Sequence, residues 1–586
     1  MKQKMRKLLA AAMVTAMILA TTAGCSSSNQ ESSGSQGSNS QSAESSATGE
    51  QDGGTVTPAG ELPIVESPTT LTIGLSPDES VQDYDTNYYT QYLEEHTGLD
   101  LEFFFFPSAE TDTTQKLALM VSAQEKLPDI LLAMPVSDSV KASYGKQGVF
   151  LALDDYFDQY GHFWKQTYDK YCTDTDKNLI DTLKLSPDGK TYGFPFYDVD
   201  PTDAQVETLY INKDWCRAVG KNIPTTTDEL FDVLKAFRDE DPNGNGKKDE
   251  LPMVGYNSVD ERGDLIFILA NSFLYYNWSD YGRFVVKDGK LSVGYNTDEF
   301  RDALRYVNKL YSEDLIAPIS FTQDAAQLKA LIDLPDGNDT LVGCVAVHPW
   351  SGSQGFTYTQ DNYHKLSEYE AIGPLTGPDG VAWSPYKVSG LAFNTFITKD
   401  CENPEAAFRL LDFMSEETTA LTSRRGEQGV DWDYCDDSKV SKFADLDFDA
   451  IYDVHNDVWA EAEQNKIYAI ECHFLPPKLY ASLTAPEYDT DLFRQRDALY
   501  LDGFYRRYGQ YPEDIVTRLT YTDEEMEEIN ELSTIITEYA NEARVLFATG
   551  AKSLDTDWDS YVQELDKMGL DHWLQIAQNA YDRMYK

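Results

Sequence analysis

The chain has 586 residues and a formal net charge of −51, with 99 acidic residues against 48 basic ones. A chain of this length exceeds one ordinary hydrophobic core, so we expect two or more lobes. The acidic surface repels phosphate backbones and excludes nucleic acid as an expected partner. Aromatic residues make up 12% of the chain, and we expect some of their rings to line a binding surface.

The first 25 residues have the pattern of a secretory signal. Four basic residues precede an apolar run, Leu8 to Ala20, that is too short for a membrane-spanning helix. The sequence Thr22-Ala-Gly-Cys25 resembles the bacterial lipoprotein box, with Thr22 where leucine is usual. We therefore predict a lipid such as palmitate on Cys25, which would hold the protein at the outer side of the cell membrane. The alternative is an ordinary cleavable signal with an incidental cysteine.

The composition of the next segment predicts a disordered tether over 26–65. It is rich in serine and glycine, and no aromatic residue occurs in 26–60. The cysteines beyond the tether are far apart and form no CxxC pair, so we expect isolated thiols and no structural zinc site. They are Cys172, Cys216, Cys344, Cys401, Cys435 and Cys472.

Strands and helices alternate where the folded body begins, which predicts an α/β fold with a β-α-β start. The alternation of apolar residues marks the strands, and apolar residues at helical spacing mark the helices. The predicted elements are a strand over 71–75, a helix over 88–96, a strand over 101–106, a helix over 113–123, and strands over 127–132 and 192–196.

Short motifs from about residue 66 to the end together resemble the extracellular solute-binding proteins of family 1. The similarity is greatest to the large lipoproteins that serve carbohydrate ABC importers, which include alginate-oligosaccharide binding proteins. The motifs are 115–121 with 127–130, 192–195, 209–215, 223–230, 313–318, 399–407, 558–562 and 580–583.

This resemblance implies a periplasmic-binding-protein-like fold of two lobes around a cleft, with a helical C-terminal region. We assign 66–195 plus about 374–430 to lobe 1, and 196–373 plus about 431–586 to lobe 2. The chain is expected to cross between the lobes near 196–203 and to return near 371–380, where Gly, Pro and Asp cluster. The apolar spacing after Tyr521 independently predicts helix there.

The segment Asp241 to Pro252 has the spacing of an EF-hand calcium loop, with Gly246 at the position of the sharp turn. Position 12, normally a bidentate glutamate, is Pro252. Related binding proteins use the adjacent acidic pair instead, so the resemblance implies a structural Ca²⁺ in lobe 2. An Asn-Gly turn without metal is the alternative. The implied ligands are Asp241, Asn243, Asn245, the carbonyl of Lys247, Asp249 and Glu250.

Sugars bind proteins through CH-rich faces laid on aromatic rings, with polar groups around them. Candidate rings are those near predicted strand ends and loops, although core packing is an equally good explanation for any single tryptophan. Trp350 and Trp432 are the strongest candidates. The predicted ligand-binding residues are Tyr192, Phe196, Trp278, Trp350, Trp383, Arg425, Glu427 and Trp432.

The resulting interpretation is a monomeric, lipid-anchored binding protein that captures an oligosaccharide and delivers it to the membrane permease subunits of an ABC importer. Since capture and delivery involve no chemical step, we expect no enzymatic activity. Neither HExxH, the usual signal of a catalytic zinc site, nor the GxSxG nucleophile elbow occurs. No P-loop motif occurs, consistent with an ATPase on a separate chain. The alternatives are a cell-surface glycoside hydrolase with unmarked carboxylates, and a sensor subunit that presents ligand to a receptor.

Overall fold

A computed structural model describes residues 56–198, 208–257, 263–277, 284–347, 356, 359–385, 390–436, 438–443, 448–485, 491–512, 515–516 and 518–586. Cys25, Trp278 and Trp350 lie outside these residues. Within them, no helix is both long enough and apolar enough to cross a membrane.

The strands, numbered in chain order, are β1 Thr69–Leu75, β2 Leu99–Phe105, β3 Ile130–Leu131, β4 Phe194–Asp198, β5 Thr208–Asn212, β6 Leu251–Val254, β7 Phe284–Lys287, β8 Lys290–Val293, β9 Val342–Val347, β10 Tyr369–Ala371, β11 Leu391–Ile397, β12 Trp432–Tyr434, β13 Tyr452–Val454 and β14 Phe474–Leu475.

The α-helices are α1 Tyr88–Thr97, α2 Glu110–Ala123, α3 Asp138–Lys146, α4 Asp154–Tyr160, α5 Phe163–Tyr171, α6 Asp174–Leu183, α7 Lys213–Ala218, α8 Thr227–Asp239, α9 Leu265–Ala270, α10 Asp298–Ser312, α11 Ala325–Ile332, α12 Tyr363–Leu366, α13 Pro404–Met414, α14 Glu417–Arg425, α15 Pro477–Tyr480, α16 Asp491–Arg507, α17 Asp523–Ala548, α18 Trp558–Met568 and α19 Leu570–Tyr585.

The first sheet has the strand order β14-β4-β11-β3-β1-β2. Strands β1 and β2 are parallel and are joined by α1, which confirms the predicted β-α-β start. Helix α1 ends at Gly98, whose φ of 73° lies in the left-handed region that glycine adopts without strain. The predicted strand over 127–132 is shorter than expected, because only Ile130 and Leu131 form ladder pairs.

The second sheet has the order β10-β5-β9-β6, and its buried side chains pack against α8, α10 and the C-terminal helices. The predicted C-terminal helix is α17. It begins at a capping box in which Thr522 and Glu525 each bond the other's backbone N–H. With a separate core on each sheet, the fold is the predicted two-lobe α/β arrangement.

The connections between the lobes differ in detail from the predicted boundaries. Strand β14, which the predicted boundary assigns to lobe 2, pairs with β4 in the first sheet. The return crossing lies later than predicted, since the backbone N–H of Trp383 still bonds Asn271 in the second lobe. Helix α16 contacts both lobes: Arg506 lies 2.7 Å from Glu370, and the Tyr505 hydroxyl donates to the Lys442 carbonyl at 3.3 Å.

Residues 56–65, which we placed in the tether, are ordered on the first lobe. Val56 bridges Val65, and Ile64 and Val65 are buried in the core. The guanidinium of Arg409 on α13, itself buried, donates to the carbonyl oxygens of Thr57, Pro58 and Glu61. The disorder prediction is therefore wrong for this stretch, because polar composition does not reveal a buried partner far away in sequence.

One buried carboxylate caps a helix from a distance. The two oxygens of Asp412 accept the backbone N–H groups of Phe163 and Trp164 at 3.1 and 2.9 Å, at the start of α5. Burial raises the pKa of Asp412 to about 6, although these donors act in the opposite direction. As predicted, the cysteines of the described residues are free thiols.

Candidate functional site

A group of buried charged side chains lies where β4 ends. Asp198 is the last residue of that strand, and its Oδ2 lies 2.9 Å from Nε2 of His473 and 3.2 Å from Nε of Arg424. The three side chains are 7%, 0% and 16% exposed, in that order. Burial disfavours the charge on Asp198, but His473 and the neighbouring arginines outweigh it and hold its pKa at about 2.

Trp459 forms the outer part of this group. The Arg424 guanidinium lies 4.2 Å from the centre of the Trp459 ring, a cation–π distance, and the indole N–H donates to the Arg424 carbonyl at 2.8 Å. The tryptophan remains 36% exposed. A fixed ring thus lies beside the ion pair and is still reachable from solvent.

Four buried polar atoms in this group have no hydrogen-bond partner among the described residues: Oδ1 of Asp198, Nε and Nη1 of Arg424, and Nε2 of His473. Nε and Nε2 each face Oδ2 of Asp198 in an ion pair, which leaves Oδ1 as an unpaired acceptor and Nη1 as an unpaired donor. Buried polar groups in proteins are nearly always paired, so an unpaired acceptor next to an unpaired donor indicates a ligand that supplies both. We refer to Asp198, Arg424, His473 and Trp459 as the strand-end cluster.

The structure places the predicted residue Arg425 beside the strand-end cluster but gives it other partners. Its Nη2 lies 3.2 Å from the Tyr452 hydroxyl, and its guanidinium lies 4.8 Å from the Tyr480 ring. Glu427 is half-buried, and its backbone N–H donates to Oδ2 of Asp431 at 2.9 Å. Asp431 itself pairs with Lys466 at 2.5 Å, so this loop is held by internal contacts.

Trp432 is fully buried, which corrects its assignment as a stacking residue. Its ring packs in a core with Tyr171 and Tyr452, and its indole N–H donates to the Gly426 carbonyl at 2.9 Å. A ring without an exposed face cannot stack on a sugar. The motif that suggested ligand contact is instead a loop closed over its own tryptophan.

Tyr192 and Phe196 also belong to the core of the first lobe, at 3% and 4% exposure, where the prediction placed them against ligand. The Tyr192 hydroxyl donates to Asp188 at 2.7 Å. Trp383 is half-buried in the second lobe, where it lines a small cavity of about 30 Å³ with Thr208 and Arg507. The predicted set therefore does not come together at one place within the described residues.

Sequence reasoning missed Asp198, Arg424, His473 and Trp459. Asp198 falls inside the predicted first crossing, at the end of a predicted strand, and that position is the one signal that could have identified it. The other three residues are brought to it by α14 and by the segments 458–460 and 473–475. Nothing in their local sequence marks them.

The loop after α8 has the internal bonding of an EF-hand. The Asp241 carboxylate accepts the backbone N–H groups of Asn245 and Gly246 at 3.1 and 2.8 Å. The φ of Gly246 is 76°, as the sharp turn requires. The Asn245 amide also donates to Asp249 and to Asp339, both at 3.1 Å, and Asp339 is a contact that the motif did not predict.

The surroundings of Glu250 indicate whether this loop fits a cation. Its Oε1 is buried and has no hydrogen-bond partner among the described residues. Burial raises the pKa of Glu250, and the carboxylates of Asp249 and Asp241 raise it further. A cation would relieve this repulsion, so the donor set fits one. Nevertheless, no ready-made group of three His, Cys, Asp or Glu ligands exists in the described part of the chain.

The comparison with protein families decides the family. Residues 78–420 match the model of the bacterial extracellular solute-binding proteins, and this match covers more than half of the chain. The chain belongs to this family. Its two α/β lobes are those of a solute-binding protein, and Asp198 of its strand-end cluster ends β4 of the first sheet.

Two curated relatives are similar over much of this solute-binding protein. The fructooligosaccharide ABC transporter substrate-binding protein FusA of Streptococcus pneumoniae is 25% identical over 538 residues, covering 89% of this chain and 91% of FusA. Lipoprotein LipO of Bacillus subtilis is 25% identical over 361 residues, covering 59% of this chain and 64% of LipO.

Solved structures share the fold. A solute-binding protein from Bifidobacterium longum infantis, described as binding HMO, superposes with a TM-score of 0.70 at 20% identity and covers 89% of this chain and all of its own. An EF-hand mutant of FusA in complex with fructo-nystose superposes with a TM-score of 0.59 at 23% identity, covering 88% of this chain and 99% of FusA.

Proposed function

We propose that this solute-binding protein captures an uncharged oligosaccharide between its lobes and delivers it to the permease of an ABC importer. The observation that carries the proposal is the unpaired acceptor and donor of Asp198 and Arg424 beside the exposed ring of Trp459. The name of FusA supports a carbohydrate substrate, since that relative covers nearly the whole chain.

A pair of neighbouring sugar hydroxyls satisfies both unpaired atoms. One hydroxyl donates to Oδ1 of Asp198 and the next accepts from Nη1 of Arg424, while a pyranose or furanose face lies against Trp459. The charges of Asp198 and Arg424 compensate each other, which favours an uncharged ligand at these two residues. No bond is made or broken in the sugar during capture.

Extracytoplasmic location follows from the family, and we propose that a lipid on Cys25 holds the protein at the cell membrane. The similarity to LipO, a named lipoprotein, supports this anchor. We further propose that the protein acts as a monomer, with the permease as its protein partner.

A structural Ca²⁺ in the 241–250 loop is the second part of the proposal. The ion would be held by Asp241, Asn243, Asn245, the Lys247 carbonyl, Asp249 and Glu250. The hydrogen-bonded turns within the loop and the uncompensated carboxylate of Glu250 support this site. We expect EDTA to lower the melting temperature of wild-type protein and Asp241→Asn to abolish that EDTA effect. Asp288→Asn, an exposed acid in the same lobe, is the matched control and should respond like wild type. An unchanged melting temperature on chelation would rule the site out.

The sugar site is tested with neutral oligosaccharides of two to five units, including fructooligosaccharides, and with a uronic-acid oligosaccharide for comparison. We expect a neutral member to raise the melting temperature, to bind in calorimetry and to be recovered intact by chromatography. Arg424→Lys should weaken that binding, because an ammonium cannot replace the guanidinium fork. Released product would support the glycoside hydrolase instead, and preference for the uronic acid would contradict the uncharged-ligand proposal.

A further inference from the structure

A second group of charged side chains joins the two lobes away from the strand-end cluster. Asp138 and Lys141 lie on α3 of the first lobe, with Nζ of Lys141 3.0 Å from Oδ1 of Asp138. Oδ2 of the same carboxylate contacts Nη2 of Arg518, which precedes α17 in the second lobe. One carboxylate therefore binds a cation from each lobe.

Arg518 is firmly part of the second lobe. Its carbonyl accepts the Tyr585 hydroxyl at 3.0 Å, and the adjacent Leu519 is buried in the second lobe's core. Asp138 is equally fixed in the first lobe, because α3 packs there through Gly145, which lies directly against the Tyr192 ring. Neither residue can follow the other if the lobes move apart.

The contact is largely shielded from water. The side chains of Lys141, Asp138 and Arg518 are 6%, 15% and 30% exposed, respectively. Burial works against the charge on Asp138, but Lys141 and Arg518 outweigh it and lower its pKa. Lys141 also lies 6.0 Å from the Phe393 ring and has Asp138 as its ion-pair partner within the described residues.

A cavity beside this contact shows that the lobes are not fully packed together here. It measures about 210 Å³ and is lined by Ala142, Lys146, Pro187 and Asp188 from the first lobe and by Thr522 and Glu524 from the second. Few residues connect the lobes at this point, and the ion pair is among them. The lobes can therefore separate here without disrupting either core.

We propose that the Asp138–Arg518 pair is a closure contact that sets the population of the closed form and thereby scales the affinity for every ligand equally. The inference rests on the proposed capture between the lobes. A ligand that binds only the closed form has an apparent Kd equal to its intrinsic Kd divided by the closed fraction. Because Arg518 does not contact the sugar in this scheme, its loss cannot change which sugar is preferred.

The test compares Arg518→Ala with Arg518→Lys and with the control Arg305→Ala. Arg305 is an exposed arginine of the same lobe whose ion pairs do not cross between lobes. Small-angle X-ray scattering of the ligand-free proteins gives the radius of gyration, which needs no sugar. We expect a larger radius for Arg518→Ala and the wild-type radius for the other two.

Affinity is then measured with two oligosaccharides of different composition that bind wild type. We expect Arg518→Ala to weaken both by the same factor, about five- to tenfold if the closed fraction falls from about half to below one in ten. An unchanged radius together with unchanged affinities would overturn the proposal, as would weakening of one sugar alone. If Arg518→Ala does not fold, Arg518→Gln, which keeps a polar side chain but removes the charge, must enlarge the radius; an unchanged radius would overturn the proposal. If no oligosaccharide binds wild type, the sugar proposal fails while the scattering result still decides the contact.

Discussion

Alanine substitutions of two tryptophans in the first lobe should have different effects on stability and on ligand binding. Trp432 is fully buried and bonds Gly426, whereas Trp459 is 36% exposed beside Arg424 and Asp198. We expect Trp432→Ala to lower stability and leave the sugar affinity of the folded fraction nearly unchanged. Trp459→Ala should weaken sugar binding and lower stability much less than Trp432→Ala does.

The magnitudes follow from what each ring contacts. Removing a fully buried tryptophan costs about 3 to 5 kcal/mol of unfolding free energy, or roughly 10 °C in melting temperature for a lobe of this size. Trp459→Ala loses one hydrogen bond and one cation–π contact, together about 1 to 2 kcal/mol. By analogy with nucleobase stacking, it should weaken sugar binding by about 1 to 3 kcal/mol, which is about 5- to 150-fold.

Both quantities are measured on the same preparations, by thermal unfolding and by calorimetric titration with the oligosaccharide that binds wild type. Titrations are run well below the melting temperature of the weaker variant. The reasoning is refuted if Trp432→Ala melts like wild type but loses affinity, or if Trp459→Ala keeps wild-type affinity.

Two further predictions concern stability. The pKa of Asp412 is raised to about 6 from an ordinary 3.8, so up to about 3 kcal/mol of stability present below pH 4 is lost as the pH rises through 6. Denaturant unfolding at pH 4 and pH 7 gives the unfolding free energies of wild type and Asp412→Asn. Relative to wild type, the variant should be more stable at pH 7 than at pH 4, and a difference that does not change with pH would contradict the raised pKa. Gly377→Ala should melt lower, since a Cβ there lies 1.8 Å from the Ser272 carbonyl oxygen, whereas Gly373→Ala meets nothing closer than 3.7 Å and should melt like wild type.

Local signals in the sequence were sufficient for the elements that depend on neighbouring residues. Gly98 ends α1 because glycine tolerates the left-handed conformation, and Thr522 begins α17 because its hydroxyl caps the first turn. Strand β14 has only two residues and pairs with β4, almost 300 positions earlier. No local pattern can predict such a pairing.

The candidate site was harder to predict, because burial and not residue type decides what a tryptophan does. Trp432 ends a loop that contains Gly426 and Gly429, and Trp459 follows Val458, yet the first ring is buried under its own loop and the second remains exposed. Likewise, Arg424 and Arg425 are adjacent, but the helix turns one toward Asp198 and the other toward Tyr452. The sharp turn of the 241–250 loop was accessible to prediction because its geometry is contained in ten consecutive residues.

The Arg409 contacts with Thr57, Pro58 and Glu61 give the two lobes different mechanical roles. Any pull on the chain upstream of residue 56 enters the first lobe through these bonds and reaches the second lobe only through the segments that connect the two. The strand-end cluster belongs to the lobe that takes this load first.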